Sequence, residues 1–334
     1  MDAVILVGGF GTRLRPLTLN TPKQMLPVGN KTMIEAVVDR LAAQGITRVI
    51  LGLGYRPDVF MDAFPDNVIG GLPVEYVVDP EPLDTAGAVR YAAQQCNVER
   101  TFLALNGDVI TTLDVAPQVQ LHRDRGALGT LHLVPVDDPS RYGVVPTDEH
   151  DKVLGFVEKP DRATAPSHWI NAGTYVLEPE VIDLIPDGRV SIERETFPLL
   201  AATGRLFGYQ HECYWVDAGT HQTYLDINLD LLDGKWGTAV QMVSTDAIVA
   251  TDATVTASLV CHGSVVSPGA SIVRSLISPA AQVGPDAVIE DSIIGTGAIV
   301  GRGARVAAGS VVGPNATVEP GQVLDGTTLA AEDS

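Results

Sequence analysis

The sequence predicts an α/β domain on a mixed, mostly parallel sheet with helices on both faces, followed by a left-handed parallel β-helix of hexapeptide repeats. Short apolar runs alternate with helical periodicity through the first two thirds of the chain. A glycine-rich loop follows the first run at once. From residue 249 onward, aliphatic residues recur every five or six positions.

Residues 4–7 form the apolar run of a buried strand, and Gly8-Gly9-Phe10-Gly11-Thr12-Arg13-Leu14-Arg15-Pro16 follows. Ile34, Val37, Val38 and Leu41 give residues 33–44 helical spacing, with Gly45 as a stop. Residues 49–53 and 74–78 read as strands, 85–95 as an alanine-rich helix, and 102–105 as a strand running into Asn106-Gly107-Asp108. Further strands are expected at 127–136, 142–145, 153–157 and 172–177, with a helix near 193–200. A last helix spans 222–232, and Gly234 closes it. In such sheets ligands bind beyond the carboxyl ends of the strands. The glycine loop and Asp108 both fall there.

After residue 248 the helical pattern stops. Val249, Val255, Val260, Val266, Ile272, Ile277 and their successors to Val318 step by six, six and five, a period of seventeen, and only the fourth coil restores the short step to six. Each aliphatic residue is expected to point into a triangular prism whose corners are Gly, Pro, Ser and Asp. The expected boundaries are a first domain at 1–234, a linker at 235–247, a β-helix of about four coils at 248–326, and a tail at 327–334. Solenoids of this kind serve as scaffolds and meet a second copy through flat aliphatic faces, so a homo-oligomer is expected. Acyl transfer would need a base, and His262 is the one histidine of the repeat.

The chain of 334 residues carries a formal charge of −19, against nucleic-acid binding. No stretch approaches a membrane span and no secretory leader is evident, so a cytoplasmic protein is expected. Cys96, Cys213 and Cys261 are odd in number and far apart, suggesting neither a disulfide framework nor a zinc site. Between Asp2 and Glu35, by contrast, stand Arg13, Arg15, Lys23 and Lys31 and no acidic residue. Glycine amides with nearby cations make a grip for a polyphosphate. It is no Walker loop, since GxxxxGK[ST] is absent, and it lacks the third glycine of a dinucleotide fingerprint.

These residues, with Pro22-Lys23, Leu26-Pro27-Val28, Asn106-Gly107-Asp108, Val157-Glu158-Lys159-Pro160, Asn171-Ala172-Gly173 and Trp215-Val216-Asp217-Ala218-Gly219-Thr220, resemble the sugar-1-phosphate nucleotidyltransferases, most of all the mannose-1-phosphate guanylyltransferases. The motifs occur in family order, and a C-terminal left-handed β-helix is a family arrangement too. The resemblance implies a Rossmann-like nucleotidyltransferase fold and transfer of a nucleotidyl group, GTP being the expected donor, to a sugar 1-phosphate such as mannose 1-phosphate. It implies nucleotide contacts from Leu6, Gly8, Gly9, Gly11, Thr12, Arg13, Asp79, Asp84, Thr85 and Gly107. Sugar-phosphate contacts would come from Gly143, Glu158, Lys159, Asn171 and Gly173. Arg13, Lys23, Lys159 and Asp108 would be catalytic, and Asp108 and Asp217 would hold Mg²⁺. Thymidylyl or adenylyl transfer, and a non-catalytic NDP-sugar-binding scaffold, are the alternatives.

Asp84 departs from the pattern, because the family usually has glycine there. Its carboxylate pairs with the N1–H and 2-amine of guanine, or repels the nucleotide, or faces solvent with the backbone at negative φ.

Overall fold

The computed structural model describes residues 1–332, so the last two residues of the expected tail lie outside the described residues. The chain packs as two compact units, one of Met1–Gly8 with Val37–Trp215, the other of Gly9–Ala36 with the chain from Val216 onward. Both expected architectures are present.

The first unit is built on a ten-stranded mixed sheet. In spatial order it runs Val157–Glu158, Gly143–Val144, Trp169–Leu177, Phe102–Asn106, Asp2–Leu6, Arg48–Leu53, Leu72–Val78 and Val68–Ile69. Gly129–Pro135 and Leu206–Gln210 continue it beside Trp169–Leu177. The four strands from Phe102–Asn106 to Leu72–Val78 are mutually parallel. The first three of these are apolar on both faces: Val4, Ile50 and Ala104 pack with Ala86, Val89 and Ala92 of helix Asp84–Gln95. Ile5, Leu51 and Leu105 on the opposite face are buried as well. A sheet buried on both faces gives continuous apolar runs, which is why these strands were legible.

Several elements differ from expectation. Of residues 153–157 only Val157 enters a strand, Val157–Glu158; Val153 makes a single antiparallel bridge to Thr147 across the turn in which Asp148 Oδ1 accepts from Lys152 N. The helix expected at 193–200 starts as a π-turn, Ile192–Thr196, before the α-helix Phe197–Ala202. Helices Pro57–Ala63 and Val115–Asp124 and strand Leu206–Gln210 had no counterpart in the sequence reading.

In the second unit three parallel sheets of five strands each form the β-helix, so it has five levels rather than about four. The fifth is completed by Thr328–Leu329, which pairs with Val311–Val312 inside the segment expected as tail. Upstream, Val243 of the expected linker bridges Val260. The inward aliphatic residues from Val260 to Val318 are at most 1% exposed. On one face the outward residues Leu259, Leu276, Ile293 and Val311 are buried too. Helix His221–Leu232, started by a Thr220–Thr223 capping box, packs on strands Leu259–Val260 and Leu276–Ile277 of that face. The Gly9–Ala36 segment is tied in by Gly29 N donating to Asn228 Oδ1 at 3.0 Å and by the Cys261 thiol donating to Gly29 O at 3.4 Å.

The five-residue steps have a structural cause. Ala257, Arg274 and Asp291, seventeen apart, take left-handed φ of 46°, 47° and 45° and turn a short corner. Each is followed by a buried serine. Ser258, Ser275 and Ser292 donate to Thr256 O, Val273 O and Glu290 O at 2.8, 2.7 and 2.6 Å. Ser258 and Ser275 also accept from the backbone N of the serine one coil on, at 3.0 and 3.1 Å. Ser275→Ala would orphan Ser292 N inside the solenoid, while Val273 O keeps its bond from Asp291 N at 3.1 Å. It is expected to cost roughly 1–3 kcal/mol, read as a lower urea midpoint.

Candidate active site

In the first unit the carboxyl ends of the four parallel strands carry Asn106-Gly107-Asp108, Gly8, Gly54 and Asp79 in adjacent order along one edge. Leu6 ends the first strand, half-buried. Gly107 N donates to Leu6 O at 3.0 Å, and a Cβ on Gly107 would stand 2.7 Å from Val7 Cγ1, so only glycine fits. Asp108 sits in the two-residue turn that follows, half-buried. Gly54 was missed in the sequence; a Cβ there would meet Gly8 Cα and O at 3.0 Å.

The Asp79 carboxylate lies beside Gly8, with Oδ2 3.8 Å from the Cβ position of that glycine. Its Oδ1 is buried without a hydrogen-bond partner, and burial pushes the carboxyl up to about 6. A carboxyl whose folded pKa is raised contributes stability that is present below its unfolded value and lost as pH rises through about 6. Asp79→Asn is therefore expected to raise the thermal midpoint near neutral pH, the gain vanishing below about pH 4.

On the strands next along the edge, Gly173 (φ 74°) leaves room for Asn106, whose Nδ2 would be 2.7 Å from a Cβ. Asn171 is fixed by donating to Tyr175 OH at 2.9 Å and accepting from Gly173 N at 3.1 Å. Gly143 pairs with Glu158, and Glu158 Oε2 lies 3.2 Å from the Cβ position of Gly143. Lys159 Nζ donates to Glu158 Oε1 at 2.7 Å in an exposed ion pair. The backbone of Lys159 is left-handed, φ 47°, a strained state of the kind that gathers at functional sites.

Asp84 is left-handed as well, with φ 58°. The reading that needed a negative φ is thereby corrected. The position favours glycine, and aspartate holds it at a cost of about 1 kcal/mol. The carboxylate does not simply face solvent either. Oδ1 accepts from Thr85 N at 2.8 Å, and Oδ2 lies 3.7 Å from Arg189 Nε. The Thr85 hydroxyl donates to Glu193 Oε2 and accepts from Ile192 N.

The second unit holds the cationic loop. Gly11 is left-handed (φ 59°) and accepts at its carbonyl from the Thr18 hydroxyl at 2.8 Å. Lys23 lines Gly9 and Gly11, its Cε and Cβ lying 3.9 and 3.4 Å from their Cβ positions. Thr12 and Arg13 open an exposed 3₁₀ turn, Thr12–Leu14, whose Leu14 is buried. Arg13 and Asp217 come together at Gly219. A Cβ there would stand 2.8 Å from Arg13 Nη2 and 3.0 Å from Asp217 Oδ2. The sequence reading gave Gly219 no role; its signal is the absence of a side chain between two charged motifs.

Among the described residues no three His, Cys, Asp or Glu side chains converge as a ready-made metal cage. Mg²⁺ keeps waters and takes one or two carboxylates plus substrate phosphates, so a single carboxylate such as that of Asp108 is chemically suited to it. No helix among the described residues is long and apolar enough to cross a membrane.

Residues 2–234 match the nucleotidyl transferase family, and residues 238–332 the GMPPB C-terminal domain. The chain is 46% identical over 237 residues to mannose-1-phosphate guanylyltransferase of Mycobacterium tuberculosis, covering 70% of this chain and 65%, just under two thirds, of that protein. It is 36% identical over 259 residues to mannose-1-phosphate guanyltransferase of Saccharomyces cerevisiae, covering 76% of this chain and 71% of that one. Among solved structures, HddC from Yersinia pseudotuberculosis complexed with GMP-PN superposes with a TM-score of 0.60 at 30% identity, over 69% of this chain and 98% of that one. With one family matched over most of its length and a second over its solenoid, the chain belongs to the nucleotidyl transferase family.

Proposed function

We propose that the chain is a Mg²⁺-dependent guanylyltransferase that joins GTP to a sugar 1-phosphate, with mannose 1-phosphate the leading substrate. The order of candidate groups along one sheet edge carries this reading. Glu158, Gly143, Asn171 and Gly173 lie on one side of Asp108, while Gly8 and Asp79 lie on the other. Four strand spacings separate Trp169–Leu177 from Leu72–Val78, roughly 19 Å, the scale of an extended nucleoside diphosphate sugar. The names of the two guanylyltransferase relatives and the GMP-PN complex of HddC support guanine as the base.

A phosphate oxygen of the sugar 1-phosphate attacks the α-phosphorus, the new P–O bond forms, and the α–β anhydride bond breaks to release pyrophosphate. The nucleophile is already an anion, so no general base is needed. The barrier lies in bringing two polyanions together and stabilising the crowded oxygens. Arg13 and Lys23 supply positive charge to the triphosphate, with the amides of Gly8, Gly9 and Gly11. Lys159 receives the sugar phosphate, and Glu158 and Asn171 bond sugar hydroxyls. Bound Mg²⁺, held by Asp108 and Asp217, would neutralise phosphate charge.

Pyrophosphate release with GTP, ATP, dTTP and UTP against mannose 1-phosphate and glucose 1-phosphate tests this. Steady turnover with GTP and mannose 1-phosphate is expected. No turnover with any pair would refute it in favour of a binding scaffold.

A further inference from the structure

The first turn of helix Asp84–Gln95 has little left to offer a base through its backbone. Thr85 N donates to Asp84 Oδ1 at 2.8 Å, and Ala86 N and Gly87 N both donate to Val190 O at 2.9 and 3.2 Å. The segment that consumes these amides lies flat on the helix. Val190 N donates to Leu83 O at 2.9 Å, Asp187 pairs with Arg90, and a Cβ on Gly87 would stand 2.4 Å from Gly188 O. This clamp brings Arg189 to Asp84. At 3.7 Å the two are in charge contact but outside hydrogen-bond range, and Arg189 is 75% exposed. Glu193, the next carboxylate, already accepts from the Thr85 and Ser191 hydroxyls. A ligand arriving at this turn would meet the Asp84 and Arg189 side chains rather than free amides.

Resting on the nucleotidyl transfer proposed above, we propose that Asp84 and Arg189 together read guanine. The Asp84 carboxylate accepts from N1–H and the 2-amine, and the Arg189 guanidinium donates to O6 and N7. Adenine presents a lone pair at N1 and a donor at C6, the reverse at both positions, and leaves Arg189 only N7. The anchoring bond from Thr85 N keeps the carboxylate in place at a left-handed backbone position where a flexible acid would swing away.

Hypoxanthine differs from guanine only by lacking the 2-amine, so GTP and ITP binding, measured by calorimetry on the full chain, isolates the Asp84 contact. The wild type is expected to bind GTP roughly 10–100-fold more tightly than ITP, the worth of a charge-assisted hydrogen bond. Asp84→Asn keeps an acceptor for Thr85 N and should bring that ratio close to one. Arg189→Ala should weaken GTP and ITP alike by roughly ten-fold or more, leaving their ratio standing. Equal binding of GTP and ITP by the wild type, or an undiminished ratio in Asp84→Asn, overturns the proposal. Turnover is scored separately: GTP-selective binding without NDP-sugar formation refutes the activity and spares the base reading. Formation of NDP-sugar from GTP and ITP at equal affinity does the reverse.

Discussion

Replacing Arg13 by alanine is expected to lower the rate of NDP-sugar formation by about 10²–10³-fold with the fold intact, the scale on which removing a group aimed at developing charge acts. Arg13 is exposed on its 3₁₀ turn, and the residue that anchors the turn is buried Leu14. Its loss therefore removes charge without opening a cavity. The guanidinium sits against Gly219 and beside Asp217, and a Cβ at Gly219 would come within 2.8 Å of Nη2. Gly219→Ala keeps the charge and displaces it, so a partial loss is expected there without a fall in thermal midpoint. Pyrophosphate release and thermal unfolding, measured side by side, separate the two effects. An Arg13→Ala enzyme running at the wild-type rate would remove this residue from the chemistry.

What the sequence showed of this site follows from which features are local. The glycine loop and Asp108 follow apolar runs, which mark strand ends without tertiary information, whereas Asp79 came from the family resemblance. Arg189 and the left-handed state of Asp84 depend on contacts about a hundred residues apart, chiefly Val190 against the first turn of helix Asp84–Gln95. No local pattern encodes those. Helix Val115–Asp124 escaped for a different reason. Two of its core positions are Gln118 and His122, polar by type yet 0% and 1% exposed. Gln118 donates to Thr130 O and Thr174 O, and His122 Nδ1 meets Thr130 Oγ1 at 2.9 Å. Buried hydrogen-bonded polar residues erase the apolar period on which such a helix is recognised. In the β-helix, by contrast, the valines and isoleucines kept the repeat visible, its five-residue steps included.

Asp217→Asn and Asp108→Asn are each expected to lower turnover on the order of 10²-fold or more, and to raise the Mg²⁺ concentration needed for half-maximal rate. Chelation of the wild type should abolish turnover, and added Mg²⁺ should restore it. Loss of rate alone would not distinguish a metal-binding carboxylate from one that only orients a neighbour. Asp217 offers a sharper criterion, because its carboxylate shares the space at Gly219 with Arg13. Without Mg²⁺, that carboxylate opposes an incoming polyphosphate, while Arg13 attracts it. Asparagine keeps the shape and removes the repulsion. The variant should therefore bind GTP at least as tightly as the wild type in the presence of EDTA, yet gain less affinity when Mg²⁺ is added. Opposite signs for metal-free binding and for turnover are what a carboxylate acting through Mg²⁺ requires. A variant that binds GTP more weakly than the wild type in EDTA would assign Asp217 to positioning Arg13 instead.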